Sequence, residues 1–270
     1  MWRRFIEIAA LSDSGSVRQF NEDSVAADSL IGVAVLADGM GGHRAGEVAS
    51  RIAARSVFDG LEARVAVFRS EAGPHSPLQA VEESINQANI AVFEAAQAQS
   101  SYKGMGTTLA VTLFYDNRVA VGHIGDSRVY RFRGEGLTLL TRDDSLLRDE
   151  IEAGMISAED AADSHNRSLV TRALGIEPTV RGHVAEDDAR PGDVYLVCSD
   201  GLNDLVNDDD IALIVGELRG NLALAANHLV QAAKDNGGFD NVSVILAKVL
   251  QPFPAATARS WMRRWFGWLG

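Results

Sequence analysis

Ile31-Gly32-Val33-Ala34-Val35-Leu36-Ala37-Asp38-Gly39-Met40-Gly41-Gly42 sets a nearly unbroken apolar run against one aspartate and a cluster of glycines. A strand that is apolar on both faces must be covered on both faces, so the run reads as a buried strand. The aspartate then sits at the strand tip, where glycine lets the backbone turn sharply. The same pattern returns far along the chain, where Val194 to Cys198 leads into Ser199-Asp200-Gly201. One such site is a common turn. Several converging from distant segments make a nest of hard oxygen ligands, and such a nest needs cations.

Outward from these two strands the apolar period alternates between two and helical values. Phe5 to Ala10 reads as a strand, Ala45 to Phe68 as a long helix, and Pro77 to Gln99 as a second helix opened at Ser76-Pro77. Four strand-like segments follow: Thr107 to Tyr115, Arg118 to Ile124, Arg128 to Phe132 and Leu137 to Leu140. Asp116-Asn117 predicts a tight hairpin between the first two, since both residue types tolerate left-handed turn conformations. Residues 142–175 read as a loop with brief helices. Strands Thr179 to Glu186 and Asp193 to Cys198, helices Asp208 to Leu218 and Leu222 to Lys234, and strand Val242 to Val249 complete the pattern. Strands in blocks on either side of a helical pair, without strict βαβ alternation, predict an α+β sandwich of packed sheets flanked by helices.

The chain has 270 residues, 46% hydrophobic and 23% charged, which suits a globular protein with a large core. No linker or internal repeat divides it, so residues 1–250 read as one domain and 251–270 as a tail. The net charge of −12 argues against nucleic acid and anionic membranes as partners. Cys198 is the single cysteine, which excludes an internal disulfide and a cysteine-rich zinc site; its apolar run predicts a buried thiol. No run of about 18 apolar residues predicts a membrane span, and Met1-Trp2-Arg3-Arg4 lacks a secretory continuation. A cytoplasmic monomer is the expectation.

Further acidic residues stand in turn contexts: Glu22 and Asp23 after Asn21, Asp126 in Gly125-Asp126-Ser127-Arg128, and Asp240 in Phe239-Asp240-Asn241. Taken singly, each is a turn former or a helix N-cap. Together with Asp38 and Asp200 they predict a site for Mg²⁺ or Mn²⁺, ions that take carboxylate, carbonyl and water oxygens.

The ordered series resembles the metal-dependent protein serine/threonine phosphatases (the PPM family, type 2C) in their compact bacterial form. It comprises Ser12-Asp13, Gly15, Arg18 and Asn21-Glu22-Asp23; then Asp38 to His43 with Gly46-Glu47 and Ser50. Gly104 to Thr108, Gly125 to Arg128, Ser199-Asp200-Gly201 and Asp240-Asn241 complete it. The match runs from about residue 5 to 249. It implies a four-layer α-β-β-α sandwich of two mainly antiparallel sheets, with a flap subdomain at about residues 145–171.

The resemblance also implies roles. Asp38 would bridge two metal ions, the Gly39 carbonyl and Glu22 would complete one, and Asp200 and Asp240 would hold the other. Asp126 with Asp200 would bind a weaker third ion. Arg18 would grip the substrate phosphate as a bidentate fork, while Asp13, Asp23 and Asn241 would orient the ligands. A metal-bridging hydroxide would then hydrolyse phosphoserine or phosphothreonine in proteins, opposing a bacterial Ser/Thr kinase. Where some relatives carry a histidine after Asp-Gly, Met40 stands, so a water on the metals is the expected proton donor, with His43 second. Asp144 stands where the family motif has a histidine. The alternatives are a phosphoprotein-binding pseudophosphatase, which would be expected to lose the carboxylates, and another dinuclear metallohydrolase.

Three residues outside this series carry separate expectations. His123, inside an apolar strand, reads as a satisfied core residue, and His165 and His183 as surface or loop residues. The tail Ser260-Trp261-Met262-Arg263-Arg264-Trp265-Phe266-Gly267-Trp268-Leu269 either docks on the domain's own surface or serves as a membrane-surface or partner anchor.

Overall fold

The computed structural model describes residues 5–42, 44–70, 76–157 and 169–253. Its chain order begins with β1 (Ile6–Asp13), β2 (Asp23–Asp28), β3 (Val33–Met40), α1 (Ala45–Ser70) and α2 (Pro77–Ala98). There follow β4 (Gly106–Thr107), β5 (Leu109–Tyr115), β6 (Arg118–Ile124), β7 (Arg128–Arg133), β8 (Gly136–Leu139) and α3 (Leu146–Glu152). The last part is β9 (His183–Asp188), β10 (Val194–Cys198), α4 (Asp200–Asn203), α5 (Asp208–Leu218), α6 (Leu222–Asp235) and β11 (Val242–Val249). Five strands pair antiparallel in the order β1-β11-β10-β7-β8, and the second sheet runs β2-β3-β5-β6-β9 with β4 added beside β3.

The two decisive strands show why the layers stack. In β3, Val33, Val35 and Ala37 face α1 and α2, while Ala34 and Leu36 face the opposite sheet. In β10, Val194, Leu196 and Cys198 face α5 and α6, while Tyr195 and Val197 face the opposite sheet. Period-two alternation puts an apolar side chain on each face of each strand, so both sheets are closed on both sides. The result is the four-layer α-β-β-α sandwich.

Local signals set the boundaries. Ser76 caps α2 by accepting the Gln79 N–H, with Pro77 at the first helical position. Asn207 and Asn221 cap α5 and α6 in the same way. Asp116 and Asn117 take φ of 41° and 63°, the left-handed pair expected of a two-residue hairpin. Past β11 the chain folds back, so that Phe253 stacks on Phe5 at 5.4 Å and its N–H donates to Asn117. Residues 254–270, which include the aromatic and basic tail, lie outside the described residues, as do His43, His165 and residues 158–168, most of the expected flap. Among the described residues no helix is long and apolar enough to cross a membrane.

The structure corrects several sequence readings. Asp23–Asp28 is a strand, β2, which the pattern Asp-Ser-Val-Ala-Ala-Asp hid because small residues carry little periodicity. The first strand continues to Asp13, held along its length by β11. The predicted strand from Thr107 divides at Thr108 into β4 and β5. The one predicted from Thr179 begins only at His183 and ends at Asp188. His183 is therefore a strand residue and not a loop residue, with its side chain still 41% exposed: it pairs with His123 in register, and the two rings stack at 4.8 Å. His123 is buried, and its Nε2 lies 2.8 Å from the Arg142 carbonyl, so its polar edge is satisfied.

Candidate functional site

The C-terminal ends of β3 and β10, the start of β2 and the turn before β11 meet at one end of the sandwich. Asp23 lies directly across from Asp38 in the β2–β3 ladder. Asp38 is fixed through its backbone: its N–H donates to Thr108 Oγ1 at 3.1 Å, and its carbonyl accepts from Thr108 N at 2.8 Å and Thr107 Oγ1 at 2.7 Å. Asp200 opens α4 just past β10 and comes within hydrogen-bonding reach of Asp38. Glu22 stands immediately before β2, and its N–H donates to Asn241 Oδ1 at 2.7 Å.

The two glycines after the aspartates serve close approach more than turning. Gly39 is still inside β3, and a Cβ there would stand 2.1 Å from the Gly46 carbonyl and 2.7 Å from that of Glu22. This lets the start of α1 and the Glu22 loop close onto the strand end. A Cβ on Gly201 would stand 2.0 Å from the Asn241 carbonyl, so the glycine lets α4 press on the turn that carries Asp240.

The electrostatics of this cluster are those of a set of anions short of cations. Burial first, and then the neighbouring Asp23, Asp200 and Asp126, push the Asp38 carboxyl well above the usual range. Burial and then Asp126, Asp204 and Asp240 do the same to Asp200. Burial raises Asp23 to about 6, although Ser243 and Ser199 hydroxyls oppose the shift, and raises Asp126 to about 7 with Asp143 next in weight. Two like unit charges 4 Å apart repel by about 4 kcal/mol at an effective dielectric of about 20. Four or five crowded carboxylates are thus stable as anions only with positive charge among them.

Orphaned oxygens point the same way. Glu22 Oε1, Asp23 Oδ1 and Asp200 Oδ1 are buried without a hydrogen-bond partner, and a buried acceptor left unpaired costs about 1–3 kcal/mol. Hard divalent cations fit such a donor set of carboxylates and a backbone carbonyl. Among the described residues no three acidic or histidine side chains stand as a finished ligand cage. Arg18 Nη2 occupies part of the cluster instead, 2.7 Å from Asp240 Oδ2. Asp240 first, and then Glu22 and Asp200, raise the guanidinium pKa further.

The remaining predicted residues fall around this core. Asn241 is a clasp: besides holding Glu22 it donates to the carbonyls of Ser14 at 3.1 Å and Phe20 at 2.9 Å. Asp23 accepts from Ser199 Oγ at 2.9 Å. Asp13 turns away from the carboxylates, accepting from Gly15 N and from Lys234 Nζ at 3.0 Å. It shapes the loop that carries Arg18 and does not touch the cluster residues themselves.

Asp144 is buried and ties the Thr171-Arg172 segment to the Asp126 turn. It accepts from Gly125 N at 3.1 Å and from Arg172 Nε at 3.0 Å, and its own backbone exchanges bonds with Gly125 and Thr171.

Sequence reasoning placed Arg128 in a motif without giving it a role, gave none to Asp143, and passed over Asp204. Arg128 clamps Asp143 through Nε and Nη2, and donates to Tyr130, whose hydroxyl reaches Asp208 at 3.0 Å. Asp204 follows Asp200 by four residues, one helical turn, and that spacing alone could have placed it on the same face. Beside Asp126 and Asp200 a cavity of about 260 Å³ opens between β7 and α3, lined by Arg128, Asp143, Leu147 and Asp204 among others.

The family model described as Protein phosphatase 2C matches residues 14–232. The serine/threonine protein phosphatase PstP of Mycobacterium tuberculosis is 39% identical over 250 residues, 91% of this chain; the chain spans 45% of that protein's length. The serine/threonine phosphatase stp of Listeria innocua is 31% identical over 241 residues, 88% of this chain and 93% of its own. The crystal structure of the PstP catalytic domain in complex with two manganese ions superposes with a TM-score of 0.80 at 37% identity, covering 91% of this chain and 99% of that one. A family model spanning most of the sequence, and relatives of the same architecture, establish that the chain belongs to the protein phosphatase 2C family.

Proposed function

We propose that the protein is a metal-dependent phosphatase that hydrolyses phosphoserine and phosphothreonine in proteins. The observation that carries this reading is the convergence of Glu22, Asp38, Asp200 and Asp240 at one end of the sandwich, with buried unpartnered oxygens on Glu22 and Asp200 and with Arg18 held on Asp240. Asp38 would bridge two ions, with Glu22 and the Gly39 carbonyl on one and Asp200 and Asp240 on the other. Asp126 with Asp200 would hold a weaker third. When bound, Mg²⁺ or Mn²⁺ supplies an activated water for in-line attack and positive charge for the phosphoryl oxygens.

The chain's own residues do the rest. With Asp240 engaged by a cation, Arg18 would be free to turn its two-pronged donor edge to the phosphate. That contact strengthens as charge develops on phosphorus oxygens. Asp23 holds the β2 start against Ser199, and Asn241 fixes the Glu22 backbone, so the carboxylates meet their ions without reorganising. Met40 has no proton to give, so water in the site protonates the leaving oxygen. A bacterial Ser/Thr kinase in the cytoplasm is the opposing activity this reading implies, with the phosphatase acting as a monomer.

The test is phosphate release from a phosphothreonine peptide with Mn²⁺, with and without chelator, for the parent protein and Asp38→Asn. Turnover that depends on Mn²⁺ and is lost in the variant is the expected result. Metal-independent turnover, or full activity in the variant, rejects it. Metal-dependent peptide binding without turnover would make the protein a pseudophosphatase.

A further inference from the structure

Three large apolar side chains stand in solvent around the entrance to the carboxylate cluster: Val17, Phe20 and Phe239, exposed by 62%, 50% and 63%. They come from two loops that the fold ties together. Ser16 N donates to the Gly238 carbonyl at 2.8 Å, and Asn241 Nδ2 holds the Phe20 carbonyl at 2.9 Å. Arg18 lies between Val17 and Phe20 in sequence and reaches Asp240, next to Phe239. Arg44 lays its guanidinium over the Phe20 ring at 4.9 Å while bonding Glu47 at 3.1 Å. The rim therefore alternates apolar surface with two cations, on a protein of net charge −12.

Aromatic and arginine side chains together are the composition of a recognition surface, and clustered exposed apolar groups mark a contact site. We propose that this rim docks an extended stretch of the substrate phosphoprotein, taking an apolar side chain that flanks the phosphorylated residue. The proposal rests on the phosphatase reading and adds a substrate class to it. Three features select this occupant. The rim is continuous with the cluster through Arg18 and Asp240, so a chain lying on Val17, Phe20 and Phe239 delivers its phosphate to Arg18. The cations complement a phosphate dianion. An anionic lipid surface is disfavoured by the overall charge, and a second copy docked through the same rim would bring its Arg18 and Arg44 against ours.

The experiment compares two phosphothreonine peptides, identical except that the neighbours of the phosphothreonine are phenylalanine in one and serine in the other. Each is assayed with saturating Mn²⁺ on the full chain and on the Phe20→Ser/Phe239→Ser double variant, with Phe239→Leu as the conservative control. The parent protein should favour the phenylalanine-flanked peptide in kcat/KM on the order of tenfold, as apolar side-chain selection allows. The double variant should lose that preference through KM and keep its turnover of p-nitrophenyl phosphate, while Phe239→Leu should keep both.

Equal kcat/KM for the two peptides in the parent, or an undiminished preference in the double variant, overturns the proposal. So does flotation with phosphatidylserine vesicles that the double variant loses, which would assign the rim to lipid. Absence of turnover on p-nitrophenyl phosphate would reject the phosphatase reading alone. Fluorescence anisotropy of the same peptides with Mn²⁺ would still decide whether the rim docks them.

Discussion

The antiparallel pair β7 and β10 has a buried aspartate at each end, Asp193 at one and Asp126 at the other, and the two ends behave oppositely. At the Val194 end, Asp193 is 2% exposed and is fully answered: Arg133 donates Nε and Nη2 at 2.8 and 2.7 Å, and Arg190 N adds a third bond. Asp187 beside it accepts from Arg131 at 2.5 Å and from Tyr195 at 3.0 Å. At the Cys198 end, Asp200, Asp38 and Asp126 crowd one another, their carboxyls are pushed up by burial and by each other, and Asp200 Oδ1 has no partner. Burial of acid is common to both ends. What separates the two ends is counter-charge, supplied by arginines at the first and short at the second.

The sharpest way to break this contrast is to neutralise one carboxylate at each end. Asp38→Asn or Asp200→Asn should lower metal-dependent phosphate release on the order of 10³-fold. The same substitution should raise the melting temperature in chelator, because it removes repulsion. Asp193→Asn should do the reverse, costing about 3 kcal/mol by leaving Arg133 without its counter-charge. Its kcat per folded molecule should stay at the parental value. Denaturant unfolding beside steady-state assays reads both effects; destabilisation of the chelated protein by Asp38→Asn would erase the distinction between the two ends.

A next and smaller effect concerns positioning. Asn241→Ala releases the Glu22 N–H and the Ser14 and Phe20 carbonyls, and should weaken Mn²⁺ binding about 10–100-fold. Titration calorimetry checks this, and unchanged affinity would show that Asn241 only closes the loop.

The pH dependence follows from the raised carboxyls. Asp23 and Asp126 bind protons more tightly in the folded protein than unfolded, to about 6 and about 7. The folded state then holds more protons, so stability in chelator should fall as pH rises from about 4 through about 7. Mn²⁺ neutralises the charge formed in that window, so the gain in melting temperature with Mn²⁺ should be larger at pH 8 than at pH 5.5. A gain independent of pH would mean that the cluster does not receive the ions. The smallest effect is expected at Cys198, whose thiol burial raises to about 12: iodoacetamide at pH 8 should leave it unmodified in the folded protein.

The layer order was legible because β3 and β10 are apolar at successive positions and the helices carry their own caps, Ser76, Asn207 and Asn221. β2 was not legible, because its residues are small and its pairing partner, not its pattern, makes it a strand. Asp38, Asp126, Asp200 and Asp240 could be named as a group from their turn contexts. The stacking of His183 on His123, and Asp144 as the tie between the Thr171-Arg172 segment and the Asp126 turn, depend on strands and loops about twenty to sixty residues apart in sequence.

The sequence by itself determined which residues carry negative charge at strand ends, and the family to which their order belongs. Local chemistry suffices for that, since apolar runs, glycines and caps act over a few residues. Only the tertiary structure decided that Arg18 lies on Asp240, that Asp13 answers Lys234, and that Asp193 is paired where Asp200 is not. Those are differences of solvation and counter-charge, and they exist only once distant segments have excluded water from the same place.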